Sequence, residues 1–382
     1  MNRSDFPIFD YQPDLVYLDS ANTTLKPRAV IDAVRNYYEN YSANIGRATY
    51  DLAERATLEF NSVRQKVADF VGADLREVIF THSATYGINQ VAFGLRDFLR
   101  VGDVILLTEY EHNSNIIAWQ KVAAETGARV VFLDEKPDLE NVKIFAFSHV
   151  SNITGEVFDY DEITAKVHEN GGLVLADITQ SIGRTKTNLK NYDFAVFSSH
   201  KIYGPSGVGV LFAHREVQEK INPLIFGSQT FKKISRENVI LADNFSRFEA
   251  GTPNIEGVIG LGAAIDFLNK ISMNKISEHD IELTKYMTKQ LEKNGLMQFL
   301  IGAPTTGIFS LNHPKIHPHD FAMLLNQQKI AVRAGRSCSD ILMQKLGLDR
   351  GVVRASFGIY TTKTDVDKFI AGYKNAIERL AD

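Results

Sequence analysis

Short, continuous apolar runs alternate with longer amphipathic stretches through the first two thirds of the chain. Residues 78–80, 104–107, 129–133, 144–147, 173–176, 194–197 and 208–212 each read as a strand buried on both faces. A brief strand at 16–18 precedes a turn over 19–24. Pro27 then opens a helix carrying Val30, Ile31, Val34, Tyr37 and Tyr38 on one side. A second helix over 52–70 stops at Gly72, and others follow at 115–126 and 161–169. Strands interleaved with helices predict an α/β fold whose central sheet is mostly parallel and covered on both faces.

Past about residue 254 the texture changes. Helices at 257–269 and 281–291 precede strands at 308–311, 330–333 and 352–357, with further helices at 321–327 and 365–381. The expected organisation is a large domain over 15–254 and a smaller α/β domain built from 1–14 and 255–382.

Composition narrows the classes of function. The chain has 382 residues and a net charge of −4, with its charges mixed and no basic stripe, so nucleic acid is not an expected partner. No apolar run approaches the roughly 18 residues of a membrane span, and the N-terminus lacks a signal-peptide core. Cys338 stands alone, which excludes internal disulfides and suits a reducing, cytoplasmic setting.

Candidate chemistry collects at the carboxyl ends of the strands, where α/β sheets place their ligands. The run Phe197-Ser198-Ser199-His200-Lys201-Ile202-Tyr203-Gly204-Pro205 ends a buried strand abruptly in polar residues and a lysine. Desolvation there lowers a lysine pKa, and a neutral amine is what a Schiff base to a carbonyl cofactor requires. The bland alternative is a strand-end lysine reaching for solvent. Ser83-Ala84-Thr85 lies where a strand meets a helix start, which suits either a phosphate or an ordinary cap. His112, Asn152, Asp177 and Gln180 follow three other strands. Amine, phosphate seat, imidazole, amide and carboxylate together fit pyridoxal phosphate, whose ring nitrogen needs a carboxylate such as Asp177.

Three further signals carry less. Gly260-Leu261-Gly262 resembles part of a dinucleotide fingerprint but lies in a helical pattern with no clear strand before it. Gly204–Gly209 is glycine-rich without the ending of a phosphate-binding loop. His313, His317, His319 and Asp320 approach metal-ligand spacing, yet Pro314 and Pro318 break any regular face and His319-Asp320 stands where a helix cap belongs, so no metal is expected. Cys338 falls in a polar loop with Arg333 and Arg336, an exposed and electropositive setting that favours thiolate. Arg354 emerges from a strand with a guanidinium fork suited to a carboxylate.

An ordered series runs nearly end to end: Tyr17-Leu18-Asp19, Thr23-Thr24, Glu111-His112, Ser151-Asn152, Asp177 with Gln180, Ser198 with His200-Lys201, Phe248-Glu249-Ala250-Gly251-Thr252-Pro253, Arg333-Ala334-Gly335, Cys338 and Arg354-Ala355-Ser356-Phe357. This series resembles the pyridoxal-phosphate cysteine desulfurases of the class V aminotransferase family, in particular the Suf-type branch that also contains selenocysteine lyases. The resemblance implies a fold-type I, homodimeric enzyme. Lys201 is then the covalent anchor of the cofactor and a proton carrier. Asp177 pairs with the ring nitrogen, Gln180 and Asn152 contact ring substituents or substrate, and His112 stacks on the ring. Thr85, Ser198 and His200 bind the phosphate with the helix start at Ala84, and Thr252 comes from the partner subunit. Arg354 grips the carboxylate of L-cysteine or selenocysteine. Cys338 takes the sulfur, leaving alanine and a persulfide for an acceptor protein, as in iron–sulfur cluster assembly.

Departures from that branch are local. Arg336-Ser337 replaces two histidines before Cys338, Gly46 stands for a histidine, Tyr86 replaces a glutamate and Gly227-Ser228-Gln229 interrupts a glycine run. A selenocysteine lyase, another class V lyase or transaminase, and a catalytically idle member acting as a binding partner remain the alternatives.

Overall fold

The computed structural model describes residues 2–46, 49–135, 138–185 and 187–380. Met1, Ala381 and Asp382, which the sequence reading placed in the smaller domain, lie outside them.

A seven-stranded sheet forms the centre, in the order Val78–Thr81, Gly209–Ala213, Phe194–Ser198, Leu173–Asp177, Val142–Ser148, Val104–Leu107 and Arg129–Phe132. All pairings are parallel except those of Gly209–Ala213, which runs antiparallel to both neighbours. Apolar patterning cannot reveal that reversal, because a strand covered on both faces reads the same in either direction. Alternation within Val104–Leu107 divides the core. Val104 and Leu106 join the cluster that holds Val30, Phe60 and Leu261, while Ile105 and Leu107 join the one that holds Ile88 and Trp119.

The glycines of the apparent dinucleotide motif have a packing explanation. They lie inside the helix Ile255–Ile271. A Cβ on Gly260 would sit 2.4 Å from Pro205 Cγ, and one on Gly262 2.5 Å from Val63 Cγ2. Close helix approach requires both positions.

A second sheet, ordered Leu300–Ile301, Ile308–Leu311, Val352–Ser356 and Arg333–Gly335, is antiparallel throughout. The helices Met273–Lys293, Pro318–Gln327 and Lys363–Leu380 supply the apolar residues of its core. The single strand expected at 330–333 is two. Ile330–Ala331 pairs in parallel with Val16–Tyr17, and Arg333–Gly335 turns to Val352–Ser356. An exposed hairpin, Phe231–Ile234 with Val239–Leu241, was not expected: Lys232 and Lys233 interrupt the first strand, and the short apolar run of the second stays largely exposed.

The histidine cluster is structural where it is described. His317, two residues before the expected His319-Asp320, caps the helix Pro318–Gln327 by accepting from the His319 N–H at 3.2 Å. His313 Nδ1 accepts from the N–H groups of Lys315 and Ile316. Among the described residues no group of three or more His, Cys, Asp or Glu side chains could hold a metal ion. Among the same residues, no helix is long and apolar enough to cross a membrane.

Candidate active site

The carboxyl ends of Val78–Thr81, Val104–Leu107, Val142–Ser148, Leu173–Asp177 and Phe194–Ser198 open toward one edge of the central sheet. A cavity there is walled by Ala84, Thr85, His112, Asn152, Asp177, Gln180, Ser198, His200 and Lys201. Of the site residues anticipated from sequence, only Thr252, Arg354 and Cys338 are absent from that wall.

Lys201 closes a single 3-10 turn, Ser199–Lys201, directly after the strand. The turn is tight: Tyr203 adopts a φ of 71°, and a Cβ on Gly204 would fall 2.1 Å from Ser199 Oγ. Gly204 is thus required by close approach rather than by φ. Lys201 Nζ donates to the Ala21 carbonyl oxygen at 2.6 Å. Burial, helped by the Arg354 charge and opposed by Asp177 and Asp19, pushes its pKa down to about 7. Gln180 Nε2 donates to the same Ala21 oxygen at 2.8 Å. Lys26, absent from the sequence-based set, donates to the Thr24 and His200 carbonyls and holds the N-terminal segment against the Lys201 turn.

Asp177 ends its strand with a largely buried side chain, and its Oδ1 accepts from the Thr179 N–H at 2.9 Å. Across the cavity, His112 is the N-cap of the helix Asn113–Thr126. Its Nδ1 accepts from the Ser114 N–H, so the neutral ring carries its proton on Nε2. Burial lowers the His112 pKa despite the opposing pull of Asp177. Ser114 Oγ lies 3.0 Å from His112 Nδ1 and 2.8 Å from Thr85 Oγ1, joining imidazole to helix start. Sequence reasoning passed over Ser114, although it stands two residues from His112 on the same helix cap.

At the expected phosphate seat, Ser83 caps the helix Ala84–Gly94 and the Ala84 N–H donates to Ser198 Oγ at 2.8 Å. Thr85, Ser114 and Ser198 bring hydroxyls to the wall beside His200. Burial first, then the Lys201 and Lys26 charges, push the His200 pKa down to about 4, so its ring is neutral at neutral pH. Ser148 and Thr179 also line the cavity, and the strand-end rule that identified Asp177 applies to both.

Just outside the wall, Arg354 is buried on the strand Val352–Ser356. Its Nη1 donates to the Asn152 carbonyl at 2.8 Å, and its Nη2 stands 3.6 Å from Asp19 Oδ1. Arg354 Nε and Asp19 Oδ1 are both buried without a hydrogen-bond partner. The free Arg354 N–H can take an anionic acceptor from a bound ligand. Burial lowers the Arg354 pKa to about 10, which leaves it cationic at neutral pH.

Cys338 is exposed, in a loop tied to the cavity wall. Asn152 Nδ2 donates to the Ser337 carbonyl and Asn152 Oδ1 accepts from Ser339 Oγ, both at 2.9 Å. The Asn152 amide therefore holds the cysteine loop, a use that the expected contact with ring or substrate did not include. Ser337 and Cys338 have φ values of 49° and 57°. Left-handed backbone at two successive non-glycine residues costs about 1–2 kcal/mol each. The expected electropositive setting is altered too: Arg336 commits its guanidinium to Asp340 at 2.7 Å and Asp349 at 3.2 Å. Thr252 lies in a different cleft of the chain, with Tyr86, Gln229 and Glu249 on its walls.

Comparison with known proteins agrees with this geometry. The profile described as "Aminotransferase class-V" matches residues 16–369. A probable cysteine desulfurase from Halalkalibacterium halodurans is 38% identical, over 98% of this chain and 96% of that protein. The apo structure of a cysteine desulfurase from Thermococcus onnurineus NA1 superposes with a TM-score of 0.93 at 33% identity, covering 99% of this chain and 98% of that one. The Escherichia coli cysteine desulfurase CsdA, in its S-sulfonic acid form, gives 0.90 at 32% identity, with the same coverage. An α/β sheet with a buried strand-end lysine, matched along nearly its whole length, places this chain in the class-V aminotransferase family.

Proposed function

We propose that this chain is a pyridoxal-phosphate-dependent cysteine desulfurase that moves the sulfur of L-cysteine onto Cys338. The observation that carries the reading is Lys201, a buried amine of lowered pKa set among Asp177, His112 and a hydroxyl-lined helix start. These groups fit pyridoxal phosphate: an amine for the aldehyde, a buried carboxylate for the ring nitrogen, and hydroxyls with backbone N–H groups for the phosphate.

When bound, the cofactor supplies an electron-withdrawing ring that stabilises negative charge at the substrate α-carbon. Lys201 would anchor it and, titrating near neutrality, accept and return the α-proton. Asp177 would keep the ring nitrogen protonated, and neutral His112 would cover the ring face. Ala84, Thr85, Ser198 and His200 would seat the phosphate, with Gln180 and Asn152 beside the ring. Arg354, with its unpartnered Nε, would receive the substrate carboxylate.

Cys338 Sγ, as thiolate, attacks the substrate sulfur. One S–S bond forms, the substrate Cβ–S bond breaks, and its electron pair stays on Cβ. Protonation of that carbon gives alanine, and Cys338 carries the persulfide. The exchange balances without an external oxidant. Exposure of Cys338 suits onward transfer to an acceptor protein. Thr252, in a separate cleft of its own chain, suits the reading that a homodimer partner completes the phosphate site.

Alanine release from cysteine, with and without a candidate acceptor, tests the proposal. Cys338→Ser is expected to abolish persulfide formation and keep cofactor absorbance; sulfide release at the wild-type rate would remove Cys338 from the mechanism. Faster turnover of selenocysteine or cysteine sulfinate than of cysteine would favour the lyase alternatives.

A further inference from the structure

We infer that Asn113 is a positioning residue that latches the Cys338 loop through a reciprocal pair with Asp340. The inference rests on the proposed role of Cys338 as sulfur acceptor and concerns how that thiol is held.

Two helices begin against each other here. Asn113 is the first residue of the helix Asn113–Thr126, and Asp340 the first of Asp340–Lys345. Each brings a first-turn N–H that its own helix cannot satisfy. The Asn113 N–H donates to the Cys338 carbonyl at 2.7 Å. The Asp340 N–H donates to Asn113 Oδ1 at 3.0 Å, and Asn113 Nδ2 donates to Asp340 Oδ2 at 2.6 Å. One asparagine thus grips the cysteine loop at three points, two of them through a side chain that must both accept and donate. A carboxylate in place of Asn113 accepts only and cannot reproduce that pattern against an aspartate.

The loop needs such a grip. Ser337 and Cys338 both hold left-handed backbone, which persists only where surroundings over-determine it. The Asn152 amide fixes Ser337 and Ser339 from the cavity side. Lys345, at the far end of the short helix, binds Glu109 and Asp134. Glu109 and His112 lie in the short connection between the strand Val104–Leu107 and the helix that Asn113 opens. The ring-covering imidazole and the cysteine backbone are therefore set by one segment, without a flexible link between them.

The test is a charge swap. Asn113→Asp places two carboxylates face to face. It is expected to slow single-turnover persulfide formation on Cys338 on the order of tenfold or more, the size of losing hydrogen bonds to a charged group. Cofactor absorbance stays, and alkylation of Cys338 by iodoacetamide changes rate as the loop leaves its latched geometry. Adding Asp340→Asn restores the donor–acceptor match, and the double variant is expected to return both rates to within about threefold of wild type. Persulfide formation and alkylation at wild-type rates in Asn113→Asp would overturn the latch, as would failure of the swap to rescue either. Alkylation needs no turnover. If Cys338→Ser still converted cysteine normally, the sulfur-acceptor reading would fall while alkylation still judged the latch.

Discussion

Lys201 Nζ rests on the carbonyl oxygen of Ala21, at 2.6 Å, and not on a carboxylate. A neutral acceptor does little to hold the ammonium form, so burial prevails and the pKa falls to about 7. The amine is poised to lose its proton near neutral pH.

Capture of the cofactor aldehyde by the apo-protein should follow that titration. Raising the pH deprotonates Lys201, so the capture rate should climb to a plateau with a midpoint near 7, against 10.5 for an ordinary lysine. Stopped-flow absorbance across pH provides the reading. A rate still climbing through pH 9 would contradict the environment described for Lys201.

Glu111 lies fully buried one residue before His112. It accepts from Thr108, Asn115, the Ser148 N–H and Ser148 Oγ. Burial outweighs these bonds and raises its pKa from 4.5 to about 7. The folded state then binds the proton more tightly than the unfolded chain. Stability from this group is complete below about pH 4.5 and is lost as pH rises through about 7, by about 3 kcal/mol. Glu111→Gln should lack that slope. Urea unfolding of both proteins at pH 5 and 8 reads the difference.

Arg64 and Glu249 form a buried pair with two 2.8 Å bonds. Arg64 also donates to the Val78 carbonyl, and the Phe80 N–H donates to Glu249. Removing either charge strands the other, so Arg64→Ala should cost about 3–5 kcal/mol in denaturant unfolding. Neither residue lines the Lys201 cavity. Both line the cleft that holds Thr252, so a changed cofactor spectrum in the folded variant would report on that cleft.

Ser114 bridges Thr85 to His112. Ser114→Ala should weaken cofactor affinity on the order of tenfold, with a stability change of about 1 kcal/mol or less. Equilibrium titration of the apo-protein with pyridoxal phosphate measures the former. An unchanged affinity would remove Ser114 from the seat.

The large sheet was legible because strands such as Phe194–Ser198 and Leu173–Asp177 carry continuous apolar runs, buried on every residue and broken only at the polar carboxyl ends. The rule that ligands gather at strand ends then led to Lys201, Asp177, Asn152 and His112. Direction was not legible for Gly209–Ala213, nor was the break between Ala331 and Arg333, since both depend on which neighbour a strand meets. Asn113 was invisible for a similar reason. Its partners Cys338 and Asp340 lie more than two hundred residues away, and no local pattern marks a side chain for a distant backbone group.

The central claim is that Lys201 enables transfer of substrate sulfur to Cys338. Its most direct test is the mass of the peptide containing Cys338 after exposure of the holoenzyme to L-cysteine without an acceptor. The wild type should gain one sulfur atom on Cys338, and neither Lys201→Ala nor Cys338→Ser should gain any there. A wild-type peptide of unchanged mass, or a Lys201→Ala peptide carrying the same extra sulfur, would contradict the account.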